Sequence, residues 1–233
     1  MPQAVKKSDA RVQLVLLDLD GTLADTAPDL AAAANRMRIA HGMEPLPIAE
    51  LRPYVSHGAR GMVGRAFDVT PDNERYAELR QEFLRQYELA LCVDSCLFPG
   101  MDDTLQHLEQ RGIRWGIVTN KFARFTLPLV QALKLSERAA CVVSGDTTPF
   151  SKPHPAPLLH ALSCASVDAA AAVYVGDDQR DIDAGRAAGM RTVVASYGYL
   201  GNAVPYQRWG ADAVVHSPSE ILQLLSGDQA HRA

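Results

Sequence analysis

The chain is poor in lysine, cysteine and aromatic residues, and it lacks long apolar runs. Five lysines stand against eighteen arginines in 233 residues, the net charge is −4, and no stripe of basic residues is present. Nucleic acid is therefore not an expected partner. No apolar run approaches the roughly 18 residues needed to cross a bilayer, so a membrane is not expected either. Lys6 and Lys7 are followed by Ser8-Asp9-Ala10-Arg11 rather than by an apolar stretch. Secretion is not expected, and a cytoplasmic location is. Cys92, Cys96, Cys141 and Cys164 have the spacing of neither a zinc site nor a disulfide framework and are expected as free thiols. Hydrophobic residues make up 47% and charged residues 21%, which excludes a disordered chain. The length suits one core, or one core plus a smaller insert.

What is present begins at Val12-Gln13-Leu14-Val15-Leu16-Leu17-Asp18-Leu19-Asp20-Gly21-Thr22. A short run dominated by Val and Leu predicts an inner strand of a parallel sheet, buried on both faces. Such sheets place their chemistry just past the carboxyl ends of their strands, where Asp18 and Asp20 fall. Side chains two apart in a strand share a face, so both carboxylates can aim at one point. Two like charges in a partly dry crevice repel unless a cation joins them. A divalent metal, a lysine or both are expected there. A plain Asp-Gly turn would account for Gly21 but not for two acids on one face.

Residues 1–11 read as a polar, loosely held start. Asp25-Thr26-Ala27-Pro28-Asp29 predicts a helix start with capping side chains; the helix continues from Leu30 to His41 and Gly42 closes it. A short helix is expected over Ile48–Val55, a loop at Ser56-His57-Gly58, a helix over Ala59–Phe67, and another from Pro71-Asp72 through Leu89. Residues 26–97 are thus expected to be helical throughout, a cap domain inserted after the first strand. From Phe98 onward the pattern alternates. Strands are expected over Ile113–Val118, Cys141–Val143, Ala172–Val175, Thr192–Ala195 and, at an edge, Ala213–Val215. Helices are expected over Met101–Arg111, Ala123–Leu133 with Pro128 in its first turns, Pro155–Ser163, Ile182–Ala188 and Pro218–Leu225, with 226–233 fraying. This alternation predicts an α/β fold: a doubly wound parallel sheet, Rossmann-like, formed by residues 1–25 and 98–233, with the all-helical cap at 26–97.

Three of these strands end in reactive polar residues: Asp18 and Asp20, then Thr119 and Asn120, then Asp177 and Asp178, with Asp181 one helical turn on. Lys152 precedes a helix. The fold would gather all of them into one crevice. Each type has a role in phosphoryl transfer. One carboxylate can attack phosphorus and form an aspartyl-phosphate. A second can protonate the leaving alcohol and later activate water. Mg²⁺ takes oxygen ligands and suits one or two carboxylates plus a phosphate oxygen. Thr and Asn can hold phosphate oxygens. A lysine at contact distance from a carboxylate is worth about 4 kcal/mol at an effective dielectric near 20.

Leu17-Asp18-Leu19-Asp20-Gly21-Thr22-Leu23-Ala24-Asp25-Thr26 resembles the first motif of the haloacid-dehalogenase-like hydrolases, and Thr119, Lys152 and Gly176-Asp177-Asp178-Gln179-Arg180-Asp181 resemble the other three. The resemblance covers residues 12 to 225. Leu17 stands where the family usually has Phe. The resemblance implies Asp18 as nucleophile and Asp20 as general acid and base. It implies phosphoryl binding by Asp18, Leu19, Thr119, Asn120 and Lys152. It also implies Mg²⁺ on Asp18, Asp177 and the backbone carbonyl of Asp20, with either Asp178 or Asp181 supporting the metal waters. Ala184-Gly185-Arg186-Ala187-Ala188-Gly189-Met190 resembles the phosphoglycolate phosphatase group. Val55 to Met62, Thr119-Asn120-Lys121 with Arg124-Phe125, and Ser196-Tyr197-Gly198-Tyr199 with Trp209-Gly210-Ala211-Asp212 resemble the phosphatases of that group acting on N-acetylmuramic acid 6-phosphate in cell-wall recycling. The implied activity is hydrolysis of a small phosphate monoester, 2-phosphoglycolate or N-acetylmuramic acid 6-phosphate, by a monomer or homodimer.

Other chemistries fit less well. A dehalogenase of this family lacks the second carboxylate that Asp20 supplies. A phosphonatase needs a cap lysine for its Schiff base, and residues 26–97 contain none. A sugar-phosphate mutase would keep Asp20 and exclude water. A phospho-aspartate switch would be about half this length and would not carry its acid on the first strand. Within the cap, Ser56, His57, Gly58 and Arg60 form the most polar break, and they are expected to read the substrate beyond its phosphate. Arg60 is the candidate partner for a substrate carboxylate, through two parallel hydrogen bonds.

Overall fold

The computed structural model describes residues 11–201 and 204–226. The expectations for the two chain ends, 1–11 and 226–233, lie outside the described residues except at Arg11 and Ser226, and Ser226 is the last residue of a helix. The wholly apolar run Leu14–Leu17 forms strand β1, buried at every position. A strand with no polar side must be covered on both faces, and β1 takes the centre of the sheet. It pairs in parallel with β4 (Arg114–Val118) and β6 (Ala172–Gly176). Outward from these lie β5 (Val142–Val143) on one side, and β7 (Arg191–Ala195) and β8 (Ala213–Val215) on the other. The order is β5-β4-β1-β6-β7-β8, parallel throughout. The register sets Leu17 beside Ile117 and Val175, so three strands end level, and the residues after them meet at one edge.

Two short strands, β2 (Ala24–Asp25) and β3 (Cys96–Leu97), form an antiparallel ribbon where the chain leaves and rejoins the sheet. This corrects the expectation that 26–97 holds no strand. Between them run α1 (Ala27–Ala40), α2 (Ile48–Leu51), a 3₁₀ helix at Arg52–His57, α3 (Gly58–Phe67) and α4 (Tyr76–Leu89). The expected helix 48–55 is split into α and 3₁₀ pieces, and the 3₁₀ turn continues through the expected loop at Ser56-His57. Pro53 enters at the second 3₁₀ position, and Gly58, at φ 57°, ends it. The helix expected from Pro71 starts only at Tyr76; residues 71–75 are turns, with the Asn73 side chain accepting from the Arg75 N–H.

The start of α1 is capped only in part as expected: the Asp25 carboxylate accepts from the Ala27 N–H at 3.3 Å. Thr26 makes no side-chain cap bond. The hydroxyl of Tyr199 accepts from the N–H groups of Thr26 and Ala27, at 2.8 and 3.0 Å, and donates to Asp25. The buried Asp29 binds the returning chain: it accepts from the backbone N–H groups of Val93, Asp94 and Ser95 and from the Ser95 hydroxyl, at 2.6–3.2 Å.

Around the sheet follow α5 (Met101–Gln110), α6 (Ala123–Ala132), α7 (Ala156–Ala165), α8 (Gln179–Ala187) and α9 (Glu220–Ser226). The boundary of α8 lies three residues ahead of the expected Ile182, because Asp178 and Asp181 form a reciprocal capping box. Pro128 sits in the second turn of α6. The four cysteines are free thiols. Among the described residues, no helix is long and apolar enough to cross a membrane.

Candidate active site

A cavity of about 300 Å³ lies between the carboxyl edge of the sheet and the cap helices. Its floor carries Asp18 and Asp20 from the end of β1, Thr119, Asn120 and Lys121 from the end of β4, Lys152 from the loop before α7, and Asp178, Arg180 and Asp181 from the start of α8. Its roof carries Ser56, His57, Gly58 and Arg60. Two expected site residues do not line the cavity. Asp177 is buried beneath the floor, and the Leu19 side chain belongs to the core, with only its N–H turned to the Asp18 carboxylate at 2.8 Å.

Lys152 is the centre of the floor. It is almost wholly buried, with its ammonium 2.9 Å from Asp18 and 2.7 Å from Asp181. It also donates to the Val118 carbonyl at 2.9 Å and to the Tyr174 hydroxyl at 2.7 Å. Burial alone would lower its pKa, but Asp18 and Asp181 outweigh that and hold it above the ordinary lysine value. The Asn120 amide fixes this lysine from behind. It donates to the Lys152 carbonyl and accepts from the Lys152 N–H, both at 2.9 Å. Asn120, expected on phosphate, lines the cavity, and its side chain holds the Lys152 backbone. Thr119 is buried at the cavity wall and accepts from the Lys121 N–H.

Asp20 has its own cation, which sequence reasoning did not assign. Lys121 donates to both Asp20 oxygens, at 2.9 and 3.3 Å, while the Thr26 hydroxyl donates to the first at 2.5 Å. The same ammonium lies 4.7 Å from the ring centre of Tyr87 on α4.

The remaining acids divide into two kinds. Asp178 caps α8 and takes both ends of the Arg180 guanidinium, at 2.8 and 2.9 Å; burial opposes this, but Arg180 holds its pKa below the ordinary value. Arg180 also donates to the Ser56 carbonyl, tying the start of α8 to the cap. Asp181 turns inward: with Asp18 and Asp177 it offers carboxylate oxygens all within 4.8 Å of one another. Burial, ahead of the neighbouring acids, pushes Asp177 well up, and burial pushes Asp18 up to about 7 despite Lys152. Asp177 is held by the Thr22 hydroxyl and the Tyr199 N–H, both at 2.9 Å. Gly21, at φ 87°, lets the chain pass over this carboxylate, for a Cβ there would lie 2.2 Å from an Asp177 oxygen.

Counting charges shows what the floor can hold. Asp20 is balanced by Lys121 and Asp178 by Arg180. Asp18, Asp177 and Asp181 face a single cation, Lys152. The excess of two negative charges, presented entirely by oxygen donors, fits a hard divalent cation such as Mg²⁺. Of the two acids left open by the sequence, both of which cap α8, Asp181 belongs to this cluster, and Asp178 is taken up by the Arg180 guanidinium.

The pairing of a buried carboxylate with a lysine and a second acid beside an oxygen-donor cluster agrees with what the chain is similar to. A family description, haloacid dehalogenase-like hydrolase, matches residues 15–195. The N-acetylmuramic acid 6-phosphate phosphatase of Pseudomonas aeruginosa is 42% identical over 92% of this chain and 95% of its own. A phosphoglycolate phosphatase of Xanthomonas campestris is 46% identical over 89% of this chain and 93% of its own. The crystal structure of a predicted phosphoglycolate phosphatase from Haemophilus somnus superposes with a TM-score of 0.80 at 26% identity, covering 92% of this chain and 98% of that one. The chain belongs to the haloacid dehalogenase-like hydrolases.

Proposed function

We propose that this protein is a Mg²⁺-dependent phosphatase acting on a small phosphate monoester that carries a carboxylate. The observation that supports it best is the placement of Asp18: a carboxylate at the floor of a cavity, 2.9 Å from a buried lysine, with a second acid on the same floor. In this reading an Asp18 oxygen attacks phosphorus as the bond to the alcohol oxygen breaks, leaving an aspartyl-phosphate. Asp20, in its protonated form, gives its proton to the departing alkoxide. The resulting Asp20 carboxylate then takes a proton from water as that water attacks phosphorus. Phosphate leaves and Asp18 is regenerated. Lys152 and Thr119 bind phosphoryl oxygens, and the Leu19 N–H orients the nucleophile. Asp18, Asp177 and the Asp20 backbone carbonyl would hold Mg²⁺, with Asp181 supporting its waters, and the ion would offset the repulsion between the phosphate dianion and the attacking carboxylate.

The cap, taken as residues 26–97 on a core of 1–25 and 98–233, supplies Ser56, His57, Gly58 and Arg60 above the leaving group. Both phosphoglycolate and N-acetylmuramic acid 6-phosphate, the esters named for the relatives, bear a carboxylate that Arg60 would bind. A cytoplasmic location, where its free thiols would stay reduced, belongs to the same proposal. The test is hydrolysis of p-nitrophenyl phosphate with Mg²⁺, followed by a panel containing both esters. Many turnovers per protein support a phosphatase. A single equivalent of stable acyl phosphate would make the protein a switch instead.

A further inference from the structure

The cavity floor and roof differ in charge. Every acid that lines the cavity comes from the floor. The roof contributes only cations and neutral groups: Arg60 from α3, and a second guanidinium, Arg80 from α4. Four of the eight cap arginines are engaged. Arg36 bonds to Gln86, Arg38 to the carbonyls of Glu44 and Ala66, Arg52 to Asp25 and Arg65 to Glu50. Among the described residues, Arg60 and Arg80 have no hydrogen bond or ion pair, although both border the cavity. The substrate phosphate is accounted for at the floor, so two uncompensated cations above it call for a further anionic group.

Between floor and roof the walls are apolar. Phe83 and Leu84 lie on the same helix as Arg80, and Phe125 faces them from α6. Positions 80, 83 and 84 follow the i, i+3, i+4 spacing that places side chains on one helix face. A cavity of about 300 Å³ is at the size that takes a drug-sized ligand, and a two-carbon acid would leave most of it unfilled.

We propose that Arg80 is a specificity-determining residue that, with Arg60, holds the carboxylate of a sugar-sized phosphorylated acid whose body lies against Phe83, Leu84 and Phe125. This rests on the phosphatase reading above and names the substrate class for the same site. It makes 2-phosphoglycolate the poorer of the two esters, because its two-carbon frame has no sugar-sized body to lie against Phe83, Leu84 and Phe125.

The experiment measures kcat/KM for N-acetylmuramic acid 6-phosphate, for its carboxylate-free counterpart N-acetylglucosamine 6-phosphate, and for 2-phosphoglycolate. It uses the full chain as wild type, Arg80→Gln and Arg80→Lys, with thermal melts of each. The wild type is expected to prefer the muramic ester at least tenfold over either of the others. In Arg80→Gln the ratio of muramic to glucosamine ester should fall about tenfold, with partial recovery in Arg80→Lys. A wild type indifferent to the carboxylate, or one that favours phosphoglycolate, overturns the proposal. So does an Arg80→Gln ratio within threefold of wild type. The ratio is internal to each protein, so a loss of folded material does not imitate the effect. If the wild type hydrolyses none of these esters and no p-nitrophenyl phosphate, the phosphatase reading itself fails; turnover with an unchanged ratio removes Arg80 alone.

Discussion

The ammonium of Lys121 lies 2.9 Å from Asp20, and both side chains are nearly withdrawn from water, at 9% and 17% exposure. Asp18 has the matching arrangement with Lys152. Each acid of the first strand end therefore has its own lysine, although the chain has only five. The Lys121 pair also touches Tyr87, so the second acid is linked to the cap.

Breaking this pair should affect stability and rate together. Asp20→Asn leaves Lys121 without its carboxylate and should cost about 3 kcal/mol, the low end for a buried ion pair. Lys121→Gln should cost a similar amount, and the double variant less than the sum of the two. Urea denaturation of the four proteins checks this. Additive losses would mean that the pair is not coupled. Asp20→Asn should also slow turnover, since both the acid and the base role are lost.

Removing the metal should abolish activity. EDTA is expected to inactivate the enzyme, Mg²⁺ to restore it, and Ca²⁺ to restore it poorly, because it takes more ligands at longer distances. Asp181→Asn should weaken Mg²⁺ affinity about tenfold or more, by analogy with outer partners of metal sites. Asp178→Ala should leave that affinity near wild type and lower the melting temperature through the lost helix cap. Calorimetric Mg²⁺ titration of both variants separates the two acids, and the reverse outcome would exchange their roles.

Arg60→Ala should lower the ratio of kcat/KM for the carboxylate-bearing ester over p-nitrophenyl phosphate about 10²-fold, for a charge-assisted pair of about 2–3 kcal/mol. Steady-state kinetics on the two esters is the check. An unchanged ratio would make Arg60 a solvated residue of α3.

Asp29 carries a purely structural prediction. Asp29→Ala leaves three backbone N–H groups of the cap stem without their acceptor and should cost about 3–5 kcal/mol. Chemical denaturation measures it directly, and a loss below 1 kcal/mol would show that water replaces the carboxylate.

The parallel sheet and its strand ends were legible because β1, β4, β6 and β7 are short apolar runs that finish at polar residues. The ribbon of β2 and β3 was not, since two-residue strands have no period to read. The cap of α1 was expected from side chains within Asp25–Asp29; Asp25 accepts from the Ala27 N–H, but the shorter bonds come from Tyr199, 173 residues from Thr26. In the site, Asp18, Asp20, Thr119, Lys152 and the acids after β6 were readable as residue types at strand ends. Which lysine faces which acid was not, because pairing is a tertiary fact. Lys121 stood only in the stretch Thr119-Asn120-Lys121 after a strand, and Tyr174 only within the run Ala172–Val175, with no partner assigned to either. Asp178 and Asp181 are three apart on one helix start, so spacing could not separate the acid that caps the helix from the one that turns to Lys152.

The central claim is that phosphoryl groups pass through Asp18 on their way to water. The stereochemical course at phosphorus tests it most directly, with a phosphate monoester made chiral by oxygen isotopes and hydrolysed by the wild-type protein. Two in-line displacements, onto Asp18 and then onto water, each invert configuration, so net retention is predicted, and Asp18→Asn should leave less than about a hundredth of the activity. Net inversion would mean a single displacement by water and would contradict the account.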